Sequence, residues 1–215
     1  ETPETADLMA KLKSFHRSPM LKNIKPMLAT LVDTAFDDPG WRFEIKWDGF
    51  RAIAYVKAKV SGKATAKTRT KKKSGVLIQS RNQQNFTQKY YPVTEALEAF
   101  GTSMVIDGEL VVVDEKGMPQ FGALQNWRNE ADGELLYYVF DLLWLEGKDV
   151  RGWPLLDRHQ LLKTVFGQES IGQLRLGFCK DGMGKSFLAS VTELGLEGVV
   201  AKRKDSVYET GHRSK

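Results

Sequence analysis

The run from Met104 to Val113 constrains the fold more than any other part of this chain. Its aliphatic and β-branched character reads as a strand, with Asp107, Glu109 and Val111 on one face and Ile106, Leu110 and Val112 on the other. Two carboxylates set into so apolar a strand need a reason, since burying a carboxylate without a partner is costly.

Around that strand, helices and further strands follow one another without a regular βαβ rhythm, which predicts an α+β fold of mainly antiparallel sheets flanked by helices. Strands are expected at Phe43 to Trp47, Phe50 to Val56, Val76 to Arg81, Leu135 to Trp144, Leu174 to Cys179 and Glu197 to Arg203. Helices are expected at Pro3 to Phe15, Tyr91 to Phe100, Gln120 to Trp127, Asp157 to Phe166 and Lys185 to Leu194. Residues 1–22 read as an N-terminal helix or linker, with Leu8, Met9, Leu12 and Phe15 on one helical face. At 215 residues and 41% apolar content the chain can bury a real core as one domain, or as one domain with lobes.

Several classes are set aside by composition. No apolar run approaches the roughly 18 residues a membrane helix requires, and the start is charged rather than signal-like, so a soluble, cytoplasmic protein is expected. The single Cys179 excludes an internal disulfide and any multi-cysteine metal site. His16, His159 and His212 share no metal-ligand spacing.

The net charge of +5 suggests nucleic-acid affinity, but its distribution is uneven. Between Lys57 and Lys73 stand seven lysines and Arg69 with no acid; without those eight, 24 basic residues face 27 acidic ones. With little to bury and one sign of charge, residues 57–75 read as a mobile basic insertion that either grips a DNA backbone or is simply solvated.

A second informative stretch is Glu44-Ile45-Lys46-Trp47-Asp48-Gly49-Phe50-Arg51. Alternation sends Phe43, Ile45 and Trp47 one way and Glu44, Lys46 and Asp48 the other, while Asp48-Gly49 is a hairpin signal, placing Lys46 on the polar face of a sheet edge. A lysine at its reference pKa of about 10.4 is neutral roughly four times in ten thousand at pH 7. A nucleophilic Lys46 therefore needs cations or a metal nearby to favour its free amine.

Lys46-Trp47-Asp48-Gly49 with Arg51, then Ser80-Arg81-Asn82, Asp107-Gly108-Glu109, Phe140-Asp141-Leu142-Leu143 and Glu197-Gly198-Val199-Val200-Ala201-Lys202, resemble in order the successive motifs of the covalent nucleotidyltransferases. That superfamily includes ATP-dependent DNA ligases, RNA ligases and mRNA-capping enzymes. Lys25-Pro26-Met27-Leu28-Ala29 and Tyr208-x-x-Gly211-x-Arg213-Ser214 are most similar to the ligase domain of bacterial ligase D, an end-joining enzyme. The resemblance implies an ATP-grasp-like nucleotidyltransferase (adenylation) domain over residues 23–215. It also implies that Lys46 attacks the α-phosphorus of ATP and carries AMP, with Glu44 and the Ile45 backbone at the adenine and Phe140 stacked on it. Arg51, Arg81 and Glu109 would hold ribose and phosphate, Lys202 the α-phosphate, and Glu197 a divalent metal, Mg2+ or Mn2+.

The implied partners are nicked or broken double-stranded DNA in the nucleoid and the upstream and downstream domains of a larger ligase, with no membrane and a monomeric state. The pattern breaks off before the last lysine motif, so the adenylation domain is expected to be incomplete, with the OB-fold domain absent and full ligation impaired. An RNA ligase or a guanylyltransferase of the capping type shares the lysine chemistry, and a non-catalytic nucleic-acid-binding module on the same fold is the alternative from another class. Asp107 reads as a turn or strand-end residue supporting Glu109, and Asp141 as a structural acid bonded to core backbone.

Overall fold

The computed structural model describes residues 3–58, 75–167 and 169–213. In chain order the elements are α1 (Pro3–Ser14), β1 (Asp38–Lys46), β2 (Phe50–Val56), β3 (Val76–Ser80), α2 (Tyr91–Glu98), β4 (Met104–Val113), α3 (Phe121–Asn126) and β5 (Glu134–Leu145). They continue with β6 (Lys148–Asp149), α4 (Leu155–Phe166), β7 (Ser170–Ile171), β8 (Leu174–Leu176), β9 (Cys179–Gly182), α5 (Gly184–Glu193) and β10 (Gly198–Arg203).

Two sheets result. The larger runs β3-β2-β4-β5-β8-β7, with β6 paired to β5, and the smaller runs β10-β1-β9. Pairing is antiparallel except between β5 and β8. The expected architecture of mainly antiparallel sheets with flanking helices is the one found.

Side-chain parity decides how the large sheet is used. Ala52, Ala54 and Val56 of β2, with Met104, Ile106, Leu110 and Val112 of β4, join Val93, Leu97, Leu124, Leu161, Leu162 and Phe166 of the helices in the main core. The opposite face is divided. At one end Ile53, Tyr55, Val105, Leu143 and Trp144 cluster with Ile24 and Tyr208; at the other, Val111, Val113 and Leu136 take Trp47 and Tyr138. Between these two apolar patches lies a polar strip. The carboxylates of β4 occupy it because period-two alternation forces Asp107 and Glu109 onto the face away from the main core.

The small sheet has its own core. Phe43 packs with Phe187 and Val191 of α5, joined by Ile45, Val199 and Ala201. The N-terminal helix docks on the body: Leu12 enters the main core with Leu8, Met9 and Phe15 against it, and Lys11 pairs with Asp157 of α4 at 2.8 Å.

Four local expectations are corrected. Asp48-Gly49 closes no hairpin: β1 and β2 belong to different sheets, and the turn is the crossover between them. A Cβ at position 49 would stand 2.1 Å from the carbonyl oxygen of Leu110, so only glycine lets the crossing backbone lie so close to β4. Accordingly β1 is the central strand of its sheet rather than an edge. Trp47 leaves the Phe43 and Ile45 face and stacks on Tyr138 of β5, ring centroids 3.7 Å apart. Finally, the expected strand from Leu174 to Cys179 is two strands, β8 in the large sheet and β9 in the small one, so this segment also crosses between sheets.

Of the basic insertion, residues 59–74 lie outside the described residues. Its flanks are joined, Lys57 N donating to the carbonyl of Gly75 at 2.8 Å.

Candidate active site

The polar strip is held by charge pairs of graded burial. Asp107 is fully buried and lies mid-strand, not at the strand end expected of it. Arg51 of β2 grips it with two hydrogen bonds, Nε to Oδ1 at 2.6 Å and Nη2 to Oδ2 at 2.7 Å. The Tyr208 hydroxyl donates to the same Oδ2 at 2.5 Å and accepts from Met27 N at 3.1 Å. Burial pulls the Arg51 pKa down, but Asp107 more than reverses this and the guanidinium is firmly protonated.

With its head fixed, Arg51 lies 4.5 Å from the Phe140 ring centroid, and Lys202 Nζ lies 4.6 Å from the same centroid. Both are at cation–π distance. Two residues along β4, Glu109 is half-buried, and burial raises its pKa to about 7. Arg51 and Lys46 pull that value down, while Asp107 and Asp48 add to the rise.

The small sheet supplies the facing groups. Antiparallel pairing sets Lys46 opposite Gly198, Glu44 opposite Val200 and Arg42 opposite Lys202. Residues directly opposite share a face, so Arg42, Glu44, Lys46 and Lys202 project together while Ile45 points to α5. Lys202 Nζ donates to Glu44 Oε2 at 2.6 Å. Glu197 and Lys202 have opposite parity along a regular strand, yet both reach this face. Glu197 stands one residue before β10, and Gly198, with φ +155°, turns the chain between them. The Glu197 carboxylate forms an ion pair with Lys46 Nζ, their side chains 49% and 41% exposed.

Arg81 follows β3, its amide donating to the carbonyl of Arg51 at 3.1 Å and its side chain exposed. The structure thus brings Glu44, Lys46, Glu197 and Lys202 together with Arg51, Glu109 and Phe140; the Ile45 side chain belongs to the small core, and Arg81 is tied to the group only by its backbone bond to Arg51.

Several partners were not foreseen from sequence. Asp141, expected to bond core backbone, does accept from Leu142 N at 2.9 Å, but its main partner is Arg158 of α4, at 2.8 and 2.9 Å. Arg158 also donates to the carbonyls of Trp153 and Ser206, at 2.5 and 2.9 Å. Burial pushes Asp141 towards protonation, and Arg158 overrides it and holds the carboxyl below its usual range. Helical spacing did carry a signal here, since Leu155, Arg158 and Leu162 fall on one face. Arg42, bound to Asp181 at 2.7 and 3.0 Å and to His159 at 3.1 Å, carried none, because its partners come from β9 and α4.

Among the described residues no cluster of three or more His, Cys, Asp or Glu side chains suits a metal ion. The donor chemistry nonetheless fits a hard cation that uses one or two carboxylates and completes its shell with phosphate oxygens and water. Glu197 has the exposure for that, and Glu109 lies on the strip within electrostatic reach of Lys46. In sum the opening carries an exposed lysine, exchangeable carboxylates, an aromatic ring and three further cations, a set suited to binding and attacking a phosphate anhydride.

Comparison with known proteins follows the same direction. Residues 19–215 match the family model described as ATP dependent DNA ligase domain. The multifunctional non-homologous end joining protein LigD of Pseudomonas aeruginosa is 34% identical over 200 residues, covering 92% of this chain and 22% of that protein. LigD of Mycobacterium tuberculosis is 34% identical over 193 residues, covering 89% of this chain and 23% of the relative. This chain thus spans less than a quarter of the length of these relatives.

Among solved structures, the ligase domain of M. tuberculosis LigD superposes with a TM-score of 0.72 at 31% identity, covering 89% of this chain and 58% of that one. A mycobacterial DNA ligase D complexed with ATP and MES gives 0.71 at 31% identity, covering 89% and 57%.

Proposed function

The chain belongs to the family of ATP-dependent DNA ligase domains, and on that premise we propose that it performs the nucleotidyl-transfer chemistry of DNA strand joining in end-joining repair. In this reading ATP is the substrate of the first step and nicked or broken double-stranded DNA receives the AMP in the second. The remaining domains of a larger ligase are its covalent partners, and it acts as a monomer on DNA of the bacterial nucleoid.

The observation that carries the proposal is the convergence of Lys46, Glu197, Glu44 and Lys202 from the small sheet on Arg51, Glu109 and Phe140 of the large one. The Lys46 Nζ lone pair attacks the α-phosphorus; the N–P bond forms as the bond to the pyrophosphate oxygen breaks, and the lysine proton is lost. Lys202 and Arg51 stabilise charge gathering on the phosphate oxygens, where fixed cations act without reorganisation. Phe140 offers its ring to the base and Glu44 its carboxylate, with the Ile45 backbone and Arg81 at the margins of the nucleotide.

Glu197, with Glu109 beside the strip, would hold Mg2+ or Mn2+. Such an ion, when bound, neutralises phosphate charge and aligns the leaving group. For Glu197 to serve, its pair with Lys46 must open, and the exposure of both side chains makes that opening inexpensive.

The test is incubation with α-labelled ATP and magnesium, followed by denaturing electrophoresis. Label is expected on the protein and absent from Lys46→Ala. Sealing of a pre-adenylated nick checks the later step separately. A wild-type chain that takes no label and seals no pre-adenylated nick would refute the reading.

A further inference from the structure

Helix α4 delivers two consecutive polar side chains into the interior, and the reaction outlined above uses neither. Arg158 is satisfied by Asp141 and two carbonyls. The second, His159, is only 7% exposed and lies against the face of β1.

Its protonation follows from its neighbours. Arg42 Nη1 is 3.1 Å from His159 Nδ1. A guanidinium has donors only, so Nδ1 accepts, and a neutral imidazole accepting there carries its proton on Nε2. Burial keeps the ring neutral, lowering its pKa to about 3 although Asp141 opposes the effect. Nε2 stands 3.6 Å from Glu44 Oε1 and its proton faces that oxygen, a separation too long for a hydrogen bond. Both atoms are buried, and neither has another partner among the described residues. An unmet donor thus faces an unmet acceptor on the carboxylate whose other oxygen is bound to Lys202.

We infer that His159 is a positioning residue for nucleotide selection: held by Arg42, which Asp181 binds in turn, it aims its Nε2–H at Oε1 while Lys202 donates to Oε2, so both Glu44 oxygens face donors and serve as acceptors, and the site favours a base bearing an exocyclic amine over one bearing a carbonyl. The inference rests on the reading above that Glu44 meets the base. The charged groups around the pair are Arg42 from β1, Asp141 from β5, Arg158 from α4 and Lys202 from β10. Burial raises the Glu44 pKa against the opposing pull of Lys202 and Arg42, and a protonated carboxyl with a free oxygen can donate to a carbonyl as readily as accept from an amine. Selectivity between such bases requires an acceptor that cannot change role, because rejection comes from leaving it facing a second acceptor.

The experiment compares labelling of Lys46 by ATP and by GTP in wild type, His159→Phe and His159→Gln. The phenylalanine variant fills the volume without ring nitrogens, while glutamine retains an N–H donor. His159→Phe is expected to narrow the ATP-to-GTP ratio of kcat/KM by about tenfold, mainly through a higher KM for ATP, with His159→Gln restoring most of it. A ratio unchanged in His159→Phe while ATP still labels Lys46 overturns this inference alone. Absence of any label or sealing in the wild type overturns it together with the reading beneath it.

Histidine 15N spectra of the wild type give a readout that does not depend on a variant folding. At neutral pH the Nε2-protonated tautomer is expected for His159, with its Nε2 resonance moving when adenosine is added. An Nδ1-protonated or cationic ring overturns the inference.

Discussion

Lys46–Glu197 and Arg158–Asp141 are both pairs of a base with a carboxylate, yet they occupy opposite environments. The first pair is 49% and 41% exposed at the side chains, and the second 2% and 4%. In the open pair water screens the attraction and each partner has alternatives, so exchange for a phosphate or a metal ion is inexpensive. In the closed pair two parallel hydrogen bonds and two backbone carbonyls satisfy the guanidinium, and opening it would strand a charge in the core. Arg51–Asp107 lies between, with a sealed carboxylate and a guanidinium that looks out over Phe140. The same kind of pair thus leaves its groups free to exchange at one end of the site and fixes shape at the other, and burial decides which.

The contrast breaks most sharply at Lys46. Lys46→Ala is expected to abolish labelling from ATP while changing unfolding free energy by less than about 1 kcal/mol, as for other exposed pairs. A large stability loss in urea unfolding would show that the pair is structural after all. Arg158→Leu should behave in reverse, losing about 3–5 kcal/mol because Asp141 is left buried without its partner. Retention of wild-type stability there would remove the distinction.

Glu109 tests the middle of the range. Its folded pKa of about 7 exceeds the ordinary 4.5, so between those values the native state binds more protons than the unfolded chain. The sign is then fixed: stability falls as pH rises through that window, by on the order of 3 kcal/mol in total. Glu109→Gln should flatten that slope, measured by denaturant midpoints from pH 4.5 to pH 7. Tyr208→Phe removes one hydrogen bond to the sealed Asp107 and is expected to cost about 1.5–3 kcal/mol, with ATP labelling retained in part because Arg51 stays bound. Smallest in stability is Glu197→Gln, within about 1 kcal/mol of wild type. Its mark should instead be a higher magnesium requirement for labelling.

Much of this was legible beforehand for a physical reason. The face assignments of β4 follow from a period of two, and the amphipathic helices from 3.6, both written into local sequence. Period two also explains why Glu44 and Lys46 share a face, and the five motifs in order fixed the family resemblance. What failed was pairing. Asp48-Gly49 has the chemistry of a tight turn, but a turn signal cannot say whether the strands it joins become neighbours. Here β1 prefers β9 and β10, which lie more than 130 residues downstream.

The sequence by itself therefore determined which residues are available for chemistry: a lysine among acids, two carboxylates on one face of an apolar strand, and a glycine at a tight turn. Only the tertiary structure decided which of them meet. It set the small sheet against the polar strip, gave Glu197 the turn at Gly198 that reaches Lys46, and buried Asp141 with Arg158 and Glu44 with His159. Alternation and charge are properties of neighbouring residues, whereas burial and pairing depend on contacts distant in the chain, and those contacts set each group's proton affinity and exposure.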